Sequence, residues 1–211
     1  MREQLPLKEN DEKVHAGFWR RFGAIWIDLI VLLPFLILFE YLESLHRTVR
    51  FFTVVPSTLF FWAYQIYFHA RWGATVGKMV TGVQITRLDG TPIGYREALK
   101  RFSVDSVLGL WMIAAQLFAL SRMTDGDFAN LAWLERTEHL ATLMPAWYKP
   151  LTYLQSAWFW SECIVLLTNK RRRALHDFIA GTVVIKKKFV RPNKTLNRTA
   201  LDRPEVPSAC G

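Results

Sequence analysis

Residues 22–41 read FGAIWIDLIVLLPFLILFEY, and the reading of this stretch decides the fold. A helix of that length, at 1.5 Å rise per residue, reaches ~30 Å, the thickness of a bilayer's hydrocarbon core. Apolar side chains fall on nearly every helical face, which leaves no stripe for water. The pattern recurs at 51–69 (FFTVVPSTLFFWAYQIYFH), 102–120 (FSVDSVLGLWMIAAQLFAL) and 151–168 (LTYLQSAWFWSECIVLLT). A soluble protein of 211 residues holds too little polar material to cover four such helices. The sequence therefore predicts an all-α polytopic membrane protein with about four transmembrane helices.

The composition agrees by exclusion. At 51% hydrophobic and 14% aromatic residues the chain is no disordered polymer. Two cysteines, Cys163 and Cys210, are too few for a disulfide scaffold, and neither is expected to be bridged. The net charge of +9 could serve nucleic acid or an anionic membrane surface. The blocked apolar residues decide for the lipid bilayer as partner, with no nucleic acid. Of the 27 Lys and Arg, 22 lie in the segments 1–21, 70–101 and 169–211, and five in the loops 42–50 and 121–149. By the positive-inside rule both termini are expected in the cytoplasm. The first span is too long for a cleaved signal peptide and carries Asp28 and Pro34.

The polar segments predict a small cytoplasmic β-hairpin over 79–94. Met79–Arg87 alternates as a strand, Asp89-Gly90 marks the turn, and Ile93 resumes a short return strand. Tyr95 opens a helix running into the third span. A third strand is expected at Thr182–Lys187, making a three-stranded sheet in which Val83 or Ile85 lies opposite Val183 or Ile185. In the outer loop, Phe128, Leu131, Leu134 and Ala141 suggest an interfacial helix. Residues 1–188 are read as the membrane domain and 189–211 as a disordered tail.

Ionisable groups inside spans are costly, so each is a functional candidate. Asp28 stands seven residues beyond Arg21, ~10 Å deeper on almost the same face. Asp105 follows Arg101 by four residues, and Glu162 precedes Lys170 by eight. The three acids thus reach similar depth from three helices, and Gln65 could join them. Read functionally, they form a cation or proton site, since crowded carboxylates in a dry cavity raise one another's pKa. Read structurally, Arg21 or Arg101 pairs with a carboxylate and fastens helices together. Asp177, in the juxtamembrane His176-Asp177 pair, is the expected partner of Arg21, with Gln65, Asp105 and Glu162 the expected neighbours of Asp28.

Other motifs fail as sites. Gly73–Met79 (GATVGKM) misses the phosphate-loop spacing and its Ser/Thr, and is read as a tight turn. No nucleophile accompanies His176-Asp177, and the His and Cys residues lack metal-ligand spacing. No catalytic residue, cofactor or metal is expected, and no enzyme. The basic cluster Lys170–Arg173 is read as a topology anchor that also attracts anionic lipid.

Three pieces, GFWRRFGAIWID (17–28), GATVGKMVTGVQITRLDGTPIGYREALKR (73–101) and RRRALHDFIAGTVVI (171–185), together resemble the RDD family of bacterial membrane proteins. The family is named for one Arg and two Asp, which match Arg21, Asp28 and Asp177. The resemblance implies a multi-pass protein of the bacterial inner membrane. It also implies transport of an unidentified ligand or sodium/proton exchange, with a monovalent cation or proton as partner and Asp28 as the responsive group. Four spans without an internal repeat cannot enclose a carrier site between two halves, so transport would require a homo-oligomer. The competing expectation is a non-transporting membrane scaffold or assembly factor.

Overall fold

The computed structural model describes residues 5–9 and 12–190. The expected tail at 189–211 lies outside them but for its first two residues, as does Cys210. The protein is mostly helical. Among the described residues three segments are long and apolar enough to cross a membrane: α1 (Phe18–Leu45), Arg47–Val80, which contains α2 (Arg47–Trp72) and α3 (Val76–Val80), and α4 (Tyr95–Arg122). Between α4 and the last long helix, α7 (Tyr148–Thr168), lie α5 (Asp125–Asn130) and α6 (Trp133–Thr142). α8 (Leu175–Ala180) follows α7.

Helix α1 is built inside out relative to a soluble helix. Its buried residues are Arg21, Ala24, Asp28 and Glu43, while Ile25, Ile30, Leu33 and Ile37 are exposed. Only a solvent of hydrocarbon makes that arrangement favourable. The turn between α1 and α2 is made by His46, whose extended backbone breaks the helix and whose Nδ1 accepts from the Thr48 amide at 3.1 Å. At that end Phe128 and Leu140 bury against Ala119, Leu120 and Met123, so the segment after α4 folds as two helices packed on it. The expected amphipathic face holds at Phe128 and partly at Leu131, whereas Leu134 and Ala141 are exposed.

The opposite end carries two small sheets. β1 (Lys8–Glu9) pairs with β2 (Glu12–Lys13), and β3 (Val83–Arg87) pairs antiparallel with β4 (Thr182–Lys186). Three sequence expectations need correction here. Met79 and Val80 belong to α3, so the strand begins only at Val83. The return strand shrinks to one bridge, Thr86 to Pro92, because Pro92 has no N–H to continue a ladder. The third partner is instead the N-terminal segment: Ala16 N donates to Val184 O and Lys186 N to Val14 O, both at 3.0 Å. The register also differs by one residue. Ile85 faces Val184 and Val83 faces Lys186, while Val183 faces Thr86 and Ile185 faces Gln84. Both faces of β4 are buried, Val184 with Val83 and Ile85, and Val183 and Ile185 with Leu5 and Val14. An apolar run that is buried on both sides carries no alternation to fix its parity.

Helix α2 ends at Gly73, whose φ of 67° turns the chain back and whose N–H caps on His69 O at 2.9 Å. The chain then lays α3 directly on α1. A Cβ at Gly77 would stand 2.1 Å from Ala24 O and 2.9 Å from Asp28 Cγ, so only glycine permits this contact. Gly77→Ala should therefore destabilise the protein by about 1–3 kcal/mol, the usual cost of overpacking, read as a lower unfolding temperature in detergent. An unchanged temperature would show that α3 does not sit against α1.

Candidate functional site

Asp28 is enclosed by donors. Tyr64 Oη, on α2, donates to its Oδ1 at 2.8 Å, and Thr75 Oγ1 donates to its Oδ2 at 2.5 Å. The Gly77 amide donates to Oδ1 at 2.7 Å, and Tyr64 Oη accepts from the Val76 amide at 3.3 Å. Val76 and Gly77 open α3, so these two amides are among the donors that a helix leaves unpaired at its first turn. Asp28 thus caps α3 from another helix.

The expected neighbours of Asp28 are elsewhere. Asp105 accepts from Trp158 Nε1 at 3.2 Å, which links α4 to α7. Glu162 accepts from both Nδ1 and the backbone N of His176. Gln65 is half-buried on α2 and makes no hydrogen bond to Asp28, whose contact on that helix is the adjacent Tyr64. The three-acid cluster is thereby corrected: Asp105 lies within electrostatic reach of Glu162, and Asp28 stands apart with its own donors.

The Arg21 partner is as expected, with one addition. Asp177 is fully buried in α8, at 0% exposure. Arg21 Nη1 donates to its Oδ2 at 3.2 Å, and Arg101, one turn before Asp105, pairs with its Oδ1. The same carboxylate accepts from the Ala174 amide at 3.0 Å and from Thr182 Oγ1 at 3.2 Å, which closes α8 and the start of β4. Burial pushes the Asp177 carboxyl up. The guanidinium charges of Arg101 and Arg21 outweigh it and hold the group well below the usual carboxylate range. Arg101 Nη2 also lies 2.7 Å from His176 Nε2. A guanidinium can only donate, so Nε2 accepts and the imidazole proton sits on Nδ1, toward Glu162. A chain of contacts therefore runs Arg21–Asp177–Arg101–His176–Glu162 across α1, α8, α4 and α7.

One pair had no sequence signal as a site. Lys78 Nζ, from the rejected phosphate-loop stretch, lies 2.7 Å from His69 Nε2 on α2. Tyr64, Thr75 and Gly77 were also unmarked, being uncharged. Among the described residues no three His, Cys, Asp or Glu converge as a metal site.

The depressed pKa of Asp177 fixes the sign of a pH effect. Its stabilisation is present above the unfolded carboxyl pKa of about 3.9 and is lost only as pH falls toward the lower folded value. Asp177→Asn should cost about 3–5 kcal/mol at neutral pH, because two buried guanidinium groups lose their counter-charge. The gap between the two proteins should narrow as unfolding is followed below about pH 4. A gap that is small at pH 7, or constant with pH, would show that the pair is not formed.

A search of curated proteins and of solved structures finds no match. A family model described as the RDD family matches residues 15–181. That stretch holds Arg21, Asp28 and Asp177, the α1–α4 core, α7 and α8, and so most of the chain. The match covers well over half of the chain, and the chain belongs to the RDD family.

Proposed function

We propose that the protein is a non-transporting membrane scaffold, in which the family's charged residues fasten the sheet end of the bundle. One observation supports this most directly: Asp28 accepts from Tyr64, Thr75 and the Gly77 amide, with α3 packed on it too tightly for a Cβ. A group that loads and releases a cation needs room and free lone pairs, and Asp28 has little of either. Asp28→Asn would put an amide NH2 against donors, leaving at least one unpaired. The reading expects that variant to lower the unfolding temperature. It also expects wild-type liposomes holding a pH-sensitive dye to show no proton flux on a sodium or potassium gradient. Cation-dependent flux that Asp28→Asn abolishes, with folding intact, would overturn it.

A second reading, cation–proton exchange, is favoured by the partly exposed Glu162–His176 pair, at 19% and 21% side-chain exposure, with Asp105 beside it. Its carrier would be Glu162, so Glu162→Gln would abolish flux while Asp28→Asn left it in place.

The topology belongs to the same proposal. α7, at 21 residues, reaches ~30 Å and is read as a fourth span of the bacterial inner membrane, with both termini cytoplasmic. Homo-oligomerisation would give the exposed faces of α1 and α7 a partner. A reporter fused at Gly90 should then read cytoplasmic and one inserted at Gly126 external. The reverse at either position contradicts the four-span arrangement.

A further inference from the structure

Where the N-terminal ribbon meets the end of α7, a cavity of about 380 Å³ opens, within the range of about 300–1,000 Å³ usual for ligand sites. Lys8, Lys13, Lys170 and Arg172 line it, and among the described residues no carboxylate does. We propose that this cavity is a binding site for the phosphate headgroup of an anionic phospholipid.

Three features of the structure converge on an anion. Lys8 and Lys13 are directly opposed across the β1–β2 ribbon, and like charges so placed repel. The neighbouring acidic pair, Glu9 opposite Glu12, is relieved because Glu12 lies 3.3 Å from Lys186 Nζ and 2.5 Å from Lys188 Nζ. Among the described residues no acid relieves the lysines in that way. The Arg172 backbone is fixed: its φ of 49° is the one positive value among the described non-glycine residues, and its carbonyl accepts from Arg21 Nη2. Its guanidinium lies so near Gly17 that a Cβ there would stand 2.9 Å from Nη1. His15 also lines the cavity, and burial, then the charges of Arg171 and Arg21 just outside the lining, pull its pKa down to about 4, so further positive charge stands behind the wall.

The cavity's position selects a lipid over a soluble anion. It adjoins the start of α1, where Trp19 is 78% exposed and stacks edge-on with Phe18 and Phe22, the aromatic girdle of a membrane–water boundary. Leu7 and Leu167 also line the wall and offer an acyl chain an apolar exit beside the four cations.

The test uses the full chain in detergent, with phosphatidylglycerol retention read by native mass spectrometry. Lys8→Gln/Lys13→Gln/Lys170→Gln should weaken retention about a hundredfold at low salt, roughly fivefold per lysine near an anionic headgroup. The control Arg20→Gln/Arg96→Gln/Lys100→Gln removes the same charge elsewhere and should retain the lipid. Equal loss in both variants would reduce the effect to diffuse attraction and overturn the site. So would loss in neither variant. Phosphatidylcholine should not be retained. If millimolar inorganic phosphate displaces the lipid completely, the ligand is a soluble phosphate and the lipid assignment falls. Retention is independent of cation flux, so failure here leaves the scaffold reading standing, and the reverse.

Discussion

A carboxylate withdrawn from water must be met by positive charge or by hydrogen-bond donors, and the sheet end of this protein is arranged around two of them. Asp177 is met by charge, held between the guanidinium groups of Arg21 and Arg101. Asp28 is met by donors, the hydroxyls of Tyr64 and Thr75 and the amide of Gly77. The first joins α1, α4 and α8, and through Thr182 reaches β4. The second joins α1, α2 and α3, and so sets where the chain leaves α3 for β3. Neither small element could stand without this. α3 and α8 have five and six residues, far below the ~12–15 at which an isolated helix becomes even marginal.

The same geometry gives Arg21 and Asp28 different partners although both stand on α1. They lie on one face of α1 about two turns apart, and each secures a different piece of the polar cap to that helix. The sheet then closes the cap. β4 is buried on both faces, and the segment Val14–Ala16 lies against its free edge. That contact brings the N-terminal ribbon to the end of α7 and creates the basic cavity there.

Hydrophobic length made the long helices legible, since a run such as 22–41 has one physical reading. Charge made the Arg21–Asp177 pair legible, because opposite charges beside the ends of two spans were expected at one membrane surface, although not the complete burial of Asp177. The strand at Val83–Arg87 and its pairing with Thr182–Lys186 were also readable from β-branched runs beside a turn signal. Their register was not, because TVVI has no polar face to exclude the alternative parity. α3 was hidden for a different reason. Five residues are too few to show helical periodicity, and what stabilises them is a carboxylate about fifty positions away. The partners of Asp28 were missed because a search for charged and amide neighbours passes over hydroxyls and backbone N–H groups. That Arg101 pairs with a carboxylate and fastens helices was legible from its charge, but not that the carboxylate is Asp177 on another helix, because nothing in the sequence sets α8 beside α4.

Asp28 is a structural acceptor that closes α3 on α1. Amide hydrogen exchange at Val76 and Gly77, compared between the wild type and Asp28→Asn in detergent, tests it most directly. The account predicts slow exchange at both amides in the wild type and fast exchange in the variant, with the amides in the middle of α1 and α4 unchanged. Equal protection of Val76 and Gly77 in the two proteins would contradict it, and would leave the Asp28 carboxylate free for another role.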